Sequence, residues 1–303
     1  MSGWTEHLRN LRTATGAAWL ILAVTRTVSA QDLVEQARAQ LQRGQPDSAW
    51  TAIQRAVEAQ PNRAEAHYWL GQIAITRASQ AGGFSGFGLA RRSKAGFARA
   101  VELEPENPTY LEGLAGFLVQ APGIVGGDRD SAASLARHLM RLDRSRGTFL
   151  LADILYRGGR DEKSRADSIM VAFAAQTPER LAQVRVAAYW ANTDRPERAL
   201  AAWERLAARD TTDVLARYGV GRNLVVLQRA LRRAIAQLRW VVTQAPPPPS
   251  GPTFAAPAPW WRLGQAYVLV GRPDSARAAY LRALALDPGF ALARQSLDSL
   301  ERR

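Results

Sequence analysis

The chain has 303 residues, of which 47% are hydrophobic and 22% are charged, a composition typical of globular rather than disordered proteins. It contains no cysteine, which excludes disulfides, thiolate nucleophiles, cysteine-ligated zinc, covalently attached haem and a lipidated cysteine anchor. The formal net charge is +13, which favours anionic partners without specifying one.

The first 30 residues have the pattern of a secretion signal. Arg9 and Arg12 precede a short apolar run at residues 17–24, and a Val-Ser-Ala sequence ending at Ala30 allows cleavage before Gln31. Because the apolar run is too short to span a bilayer comfortably, we predict cleavage and a soluble, exported chain, periplasmic or extracellular, without a transmembrane span. Retention of the segment as an uncleaved anchor is the alternative.

Beyond this segment, apolar residues recur three to four positions apart in paired stretches, as expected for helices that each bury one face. Six such pairs precede the final one, at residues 33–61, 69–105, 111–139, 149–173, 184–206 and 218–246.

The pattern is clearest in the last pair, from Trp260 to Pro288. Its first half carries a large-small-large motif, a glycine at Gly271 then ends the first helix, and small and aromatic residues follow at helical spacing. The residues in question are Trp260, Leu263, Gly264, Tyr267, Ala276, Tyr280, Ala283 and Pro288. In these positions the chain resembles the tetratricopeptide repeat (TPR) family.

The resemblance implies the fold class. We expect an all-α protein, a right-handed TPR-like superhelical solenoid of about six to seven helix pairs over residues 31–303. A helix from Phe290 to Arg303 caps the end of the solenoid. A generic all-α bundle is the alternative.

Three segments interrupt the period. Glycine-rich insertions near residues 80–89 and at 121–128 fall at the same place in consecutive repeats, so we expect two connecting loops side by side on one edge. They either bind a small or anionic ligand, such as a lipid or glycan, or simply pack together. A proline-rich stretch at 245–259 predicts a semi-rigid spacer.

No constellation for catalysis is visible. The only histidines are His7, His67 and His138, and none has a second metal ligand at helical spacing. The glycine-rich segments fit neither a phosphate-binding loop nor a dinucleotide fingerprint. We therefore predict a protein without enzymatic activity, metal or cofactor.

Two long stretches contain no acidic residue, residues 66–101 and 214–273. The second includes a predicted basic band on the outer face of a second helix, formed by Arg229, Arg232, Arg233 and Arg239. An anionic membrane surface, an anionic glycan or an acidic protein are the candidate partners, and an ordinary solvated face is the alternative. Export and the lack of interleaved aromatic residues argue against nucleic acid.

The resemblance also implies where a partner binds, because TPR proteins usually bind along the concave surface lined by first helices. The exposed candidates there are Tyr68, Gln72, Glu112, Phe149, Asp153, Tyr156, Arg157, Tyr218, Arg222, Trp261 and Gln265. Aromatic and arginine anchors of this kind suit peptide recognition. We therefore expect a protein- or peptide-binding scaffold or adaptor of the cell envelope, with an anionic-ligand binding protein as the alternative.

Overall fold

A computed structural model describes residues 30–81, 83–244 and 254–302. The predicted signal peptide up to residue 29 and the proline run at 245–253 lie outside these residues. The cleavage site falls where the first described helix begins, at Ala30.

The described residues form fifteen α-helices and one 3-10 turn at Gly123–Val125. The helices are α1 Ala30–Gln42, α2 Pro46–Ala59, α3 Ala64–Ala81, α4 Gly83–Leu103, α5 Pro108–Gln120, α6 Arg129–Leu142, α7 Arg144–Tyr156, α8 Arg160–Gln176, α9 Arg180–Asn192, α10 Pro196–Arg209, α11 Val214–Val226, α12 Leu231–Val242, α13 Ala258–Leu269, α14 Pro273–Leu286 and α15 Ala291–Glu301. Seven antiparallel pairs stack in chain order and α15 closes the stack, which confirms the predicted all-α solenoid.

In each of the seven pairs, the second helix buries three residues at positions i, i+4 and i+7. This spacing places the three residues on one helical face. The first of the three is small in all seven pairs, which lets the partner helix approach. The sets are 49, 53 and 56; 93, 97 and 100; 132, 136 and 139; 166, 170 and 173; 199, 203 and 206; 234, 238 and 241; and 276, 280 and 283. The inward residues predicted for the second helices are buried, except in the fourth pair, where Met170 takes the place that the sequence interpretation gave to Ile169.

The last pair shows why the motif needs its small residues. A Cβ on Gly264 of α13 would overlap the ring of Tyr280 in α14, so only glycine allows these helices to pack this closely. Gly271 ends the connection with a φ of 69°, a left-handed conformation that favours glycine. Four of the described helices, α2, α5, α10 and α14, have proline as their first residue. The backbone N–H that proline lacks has no acceptor within a helix at this position, so nothing is lost.

The first glycine-rich insertion is helical, which corrects the prediction of a loop near residues 80–89. It lengthens α3 and α4 to 18 and 21 residues, so that this hairpin extends beyond its neighbours of 13 and 14 residues. The glycines serve helix packing: a Cβ on the buried Gly86 would lie 3.0 Å from the carbonyl oxygen of Ala78 in the partner helix.

The second insertion, residues 121–128, is a loop built around the 3-10 turn. It packs on the side of α4, where Val125 is buried in the same core cluster as Ala90. Arg91 Nη2 donates to the Ile124 carbonyl at 3.4 Å. The two insertions therefore share one edge of the molecule, as predicted, but as a helical hairpin flanked by a loop rather than as paired loops.

Two smaller boundaries differ from the prediction. Arg229 lies in the turn before α12 rather than on that helix, because α12 starts only at Leu231. Pro259 belongs to the first turn of α13, so the spacer ends before Ala258. Among the described helices, none is both long and apolar enough to cross a membrane.

Candidate functional site

The groove residues predicted from the sequence lie on the first helices of five pairs, and the structure groups them into three separate clusters. The N-terminal cluster lies on α3 and α5, the middle cluster on α7 and α9, and the C-terminal cluster on α11 and α13. The clusters differ in how far their polar groups are already paired within the protein.

In the N-terminal cluster, Tyr68 is largely occupied by its own neighbours. Its ring packs against Phe97 and Tyr110, with ring centres 5.7 and 5.2 Å apart. Its hydroxyl accepts a hydrogen bond from Gln72 Nε2 at 2.8 Å. Glu112 accepts two hydrogen bonds from Arg146 of α7, at 2.8 and 2.5 Å. These contacts link α3, α5 and α7 and leave few unsatisfied groups for a ligand.

The charges around this cluster are also paired. Arg63 forms an ion pair with Glu65 at 2.7 Å, close to Tyr110. Burial, followed by the nearby carboxylates of Glu104 and Glu65, raises the pKa of Tyr110 to about 12. The N-terminal end of the groove is therefore electrostatically compensated.

The middle cluster has a similar internal pairing. Asp153 and Arg157 form an i,i+4 ion pair at 3.1 Å, and Tyr156 Oη donates to the Thr193 carbonyl at 2.8 Å. The guanidinium of Arg185 lies 4.1 Å from the centre of the Phe149 ring. These residues line a groove of about 580 Å³ between α7 and α9.

The C-terminal cluster is built around Arg262, a residue that the groove prediction omitted. Arg262 Nη1 donates to Gln265 Oε1 at 2.8 Å, and its guanidinium lies 4.2 Å from the centre of the Trp261 ring. Its Nε is buried and has no hydrogen-bond partner within the described part of the chain. Tyr218 packs on Phe254 with ring centres 4.3 Å apart and lies close enough to Arg262 for the guanidinium to stabilise its phenolate.

Among the described residues, no carboxylate forms an ion pair with the arginines at this end. Arg222 is half-buried, lies close enough to Arg262 to repel it, and forms no ion pair with any described residue. Burial lowers the pKa of the Arg262 guanidinium, Tyr218 opposes this, and the charge of Arg222 lowers it further. Burial also raises the pKa of Tyr218. Two positive charges are therefore held together without an acidic side chain among the described residues to pair with them, and only Gln265, the Trp261 ring and Tyr218 offset part of the cost.

A cavity of about 460 Å³ opens beside Arg262, between α11, α13 and α15. Its polar lining consists of amides and hydroxyls, and no acidic side chain contributes. The lining includes Gln228, Gln265, Gln295, Ser296 and Ser299 together with the apolar Val225 and Leu269. One of these residues, Ser296, accepts a hydrogen bond at its Oγ from Trp261 Nε1 at 3.0 Å. This arrangement can accept a carboxylate next to hydrogen-bonding and apolar groups.

Two of the four arginines in the predicted basic band form ion pairs with acidic residues of the protein itself. Arg229 pairs with Glu197 at 2.9 Å and Arg233 with Glu204 at 2.7 Å, both across to α10. Arg232 and Arg239 are exposed and have no ion-pair partner among the described residues. The acids come from another helix, so the acid-free stretch of sequence is not an acid-free surface.

Sequence reasoning overlooked Arg146, Arg185 and Arg262 as groove residues. Arg262 could have been predicted from the sequence as a groove residue. It follows Trp261 directly and lies three positions before Gln265, on the same helical face. Arg146 and Arg185 are recognisable only through partners more than thirty residues away, Glu112 and Ser145.

Asp128, the acidic residue of the 121–128 loop, caps the N-terminus of α6. Asp128 accepts from the backbone N–H groups of Asp130 and Ser131 at 3.0 and 3.1 Å. These bonds, with that from the Ser131 hydroxyl, lower the pKa of Asp128. Within the described ranges, no three His, Asp or Glu side chains are placed to hold a metal ion.

Comparison with known families gives matches for two stretches of the chain. Residues 34–81 and 257–290 each match a tetratricopeptide repeat model, and they contain the first helix pair with α3 and the last helix pair. The helix pairs between them repeat the same buried pattern. These two stretches are therefore similar to the tetratricopeptide repeat, a class that generally serves as a protein- or peptide-binding scaffold and is typically non-catalytic.

One solved structure supports the fold, and two others are more distantly similar. A tetratricopeptide repeat protein from Parabacteroides merdae superposes with a TM-score of 0.54 at 13% identity, covering 90% of this chain and 98% of that one. Pseudomonas aeruginosa pilF gives a TM-score of 0.46 at 13% identity, covering 89% and 97% of the two chains. YrrB, described as a TPR protein with an unusual peptide-binding site, gives 0.34 at 16% identity, covering 81% and 97%. No curated protein matches the sequence.

Proposed function

We propose that this chain is an exported, non-catalytic scaffold that binds a carboxylate-bearing peptide segment of a partner protein at the C-terminal end of its groove. The observation that carries the proposal is the pair Arg222 and Arg262, two neighbouring arginines that form no ion pair with any described residue. Holding them together costs free energy, and an anionic ligand would offset that cost.

Arginine suits this role because its planar guanidinium pairs with a carboxylate through two parallel hydrogen bonds. The unpartnered Nε of Arg262 is one donor available to such a bond after a modest side-chain movement. Arg222, one helix away, supplies a second positive charge. The peptide would therefore be recognised by an aspartate, a glutamate or its own C-terminal carboxylate.

The surrounding groups favour a peptide over an isolated small anion. Trp261 and Tyr218 are half-buried aromatic side chains beside the arginines, and aromatic and arginine residues carry most of the energy of typical interfaces. Gln265 and Gln228 offer amides to a peptide backbone along the 460 Å³ cavity. A small inorganic anion would contact the arginines but not the neighbouring aromatic and amide side chains.

The test is a peptide-display selection with the full chain as bait, repeated with the Arg222→Gln/Arg262→Gln variant. We expect selected peptides to be enriched in Asp, Glu or a free C-terminus, and the enrichment to disappear with the variant. A matched control is Arg229→Gln/Arg233→Gln, which removes the same charge from arginines already paired with Glu197 and Glu204. Equal enrichment of neutral peptides on the wild-type chain would contradict the proposal.

The export part of the proposal rests on the sequence of the first 30 residues. The folded part is compatible with cleavage after Ala30, because the described core of the first pair begins at Leu33 and Val34. Determination of the N-terminus of the protein purified from its source is the test. Gln31 as the first residue is expected, whereas recovery of an intact Met1 terminus from a soluble fraction would contradict export by this route.

A further inference from the structure

The extended hairpin of α3 and α4 ends in exposed aromatic residues. Phe84 is 92% exposed and Phe87 is 39% exposed, and their rings meet edge to face with centres 6.2 Å apart. Ile124 of the neighbouring loop is 67% exposed, and its carbonyl accepts from Arg91 on α4. Large apolar side chains so exposed at a projecting edge are unusual in a soluble protein and indicate a contact surface.

Positive charge lies directly behind these residues. Phe84, Phe87, Arg91 and Lys94 follow one another at spacings of three, four and three, so they share one face of α4. The aromatic rings therefore stand at the tip and the cations one to two turns further back. Arg91 and the neighbouring Arg92 are exposed.

Few acids oppose this charge. From Ala66 to Val101 the sequence has no Asp or Glu, and within the described chain neither Arg91 nor Arg92 forms an ion pair. The closest acidic groups are already engaged: Asp47 pairs with Arg77 at 2.9 Å, and Asp128 caps α6 beside Lys94. The tip is therefore apolar in front and positive behind.

We propose that this tip, defined by Phe84, Phe87, Ile124, Arg91 and Arg92, docks on an anionic lipid bilayer. The aromatic residues would enter the interface between headgroups and acyl chains while the arginines remain level with the anionic headgroups. The charge complementarity selects this occupant over an apolar protein pocket, which would gain nothing from the two unpaired arginines. The proposal is independent of peptide binding in the groove.

The absence of cysteine allows a local test on the full chain, because a single introduced thiol can carry a polarity-sensitive dye. Ser85→Cys places the dye at the tip, and Ser168→Cys places it on an exposed position of α8 as the matched control. The labelled chains are titrated with vesicles of phosphatidylcholine alone and of phosphatidylcholine with 30 mol% phosphatidylglycerol, about the anionic content that gives a strong surface potential.

We expect a blue shift at position 85 with the anionic vesicles only, and none at position 168. Arg91→Gln/Arg92→Gln should weaken the apparent vesicle affinity by about tenfold, and Phe84→Ser/Phe87→Ser, with the dye still at position 85, by about tenfold or more. Arg232→Gln/Arg239→Gln removes the same charge from a distant surface and should leave the affinity unchanged. Circular dichroism confirms that each variant keeps its helical content.

Several results would overturn the proposal. An absent shift at position 85, or equal shifts at positions 85 and 168, would show that the tip does not dock. An equal response to neutral vesicles, or an unchanged affinity of Arg91→Gln/Arg92→Gln, would remove the role of the charge. A shift that needs no vesicles and grows with protein concentration would assign the tip to a second copy of the chain.

Discussion

The two ends of the groove have similar residues and opposite electrostatics. At the N-terminal end, Tyr68 and Tyr110 lie near Glu65 and Glu104, and the arginines there have carboxylate partners. At the C-terminal end, Tyr218 lies near Arg222 and Arg262, and neither arginine has an acidic partner among the described residues. The contrast is one of charge pairing, because the buried Nε of Arg38 at the N-terminal end also lacks a hydrogen-bond partner among the described residues. Paired charges hold helices together, whereas arginines without an acidic partner can gain from an anionic ligand. The same aromatic-arginine composition therefore serves structure at one end and, in our proposal, binding at the other.

The largest expected effect concerns Tyr68, which the sequence marked as a binding residue. Tyr68→Ala removes ring contacts with Phe97 and Tyr110 and should lower the free energy of unfolding by about 2–4 kcal/mol, because a cavity forms between α3, α4 and α5. Denaturant unfolding measures this loss. Tyr68→Phe keeps the ring and should cost much less; equal losses would show that the hydroxyl, and not the packing, matters.

The next effect concerns charge compensation at the other end. Gln265→Glu places a carboxylate where the amide oxygen now accepts from Arg262 at 2.8 Å. The variant should bind a selected acidic peptide about tenfold to a hundredfold more weakly, since the protein then supplies the anion itself. Fluorescence anisotropy with the labelled peptide gives the affinity. Unchanged binding would place the peptide elsewhere.

The tyrosines at the two ends should respond differently to alkaline pH. Because the folded-state pKa of Tyr110 is raised from 10.0 to about 12, the unfolded chain loses this proton first, and stability falls as pH rises from 10 towards 12. Tyr110→Phe should reduce that slope by up to about 1 kcal/mol per pH unit. Tyr218→Phe should reduce it less, because Arg262 and Arg222 favour the Tyr218 phenolate. Denaturant unfolding at pH 9, 10 and 11 gives the pH dependence of the free energy of unfolding for each variant. A larger change for Tyr218→Phe than for Tyr110→Phe would show that Tyr218 has the more strongly raised pKa, contrary to this expectation.

The smallest effect is a gain in stability. Arg222→Gln removes the repulsion on Arg262 and should raise the free energy of unfolding by about 0.5 kcal/mol while weakening peptide binding. Arg229→Gln breaks an exposed pair with Glu197 and should change stability by less than about 0.5 kcal/mol without affecting binding. Calorimetry of both variants measures the difference, and a destabilised Arg222→Gln would mean that Arg222 already has a favourable partner.

The fold was predictable because each helix pair repeats a local pattern, and the buried i, i+4, i+7 sets confirm the register even where single repeats match weakly. The helical structure of the glycine-rich insertion at 80–89 could not be predicted, because glycine is typical of loops. Only the close approach of Gly86 to Ala78 shows that glycine permits helix packing here. Charge pairing was not predictable either. Glu197 and Glu204 neutralise Arg229 and Arg233 from another helix, and no spacing rule in the sequence indicates that contact.

The most direct test of the account is a double-mutant cycle on the groove. The affinities of a selected acidic peptide and of its amide analogue, with Asp→Asn or Glu→Gln, are measured on the wild-type chain and on Arg222→Gln/Arg262→Gln. We expect a coupling energy of about 1.5 kcal/mol or more between the carboxylate and the two arginines, as found for close charge pairs at interfaces. A coupling energy near zero would contradict carboxylate recognition at this end of the groove.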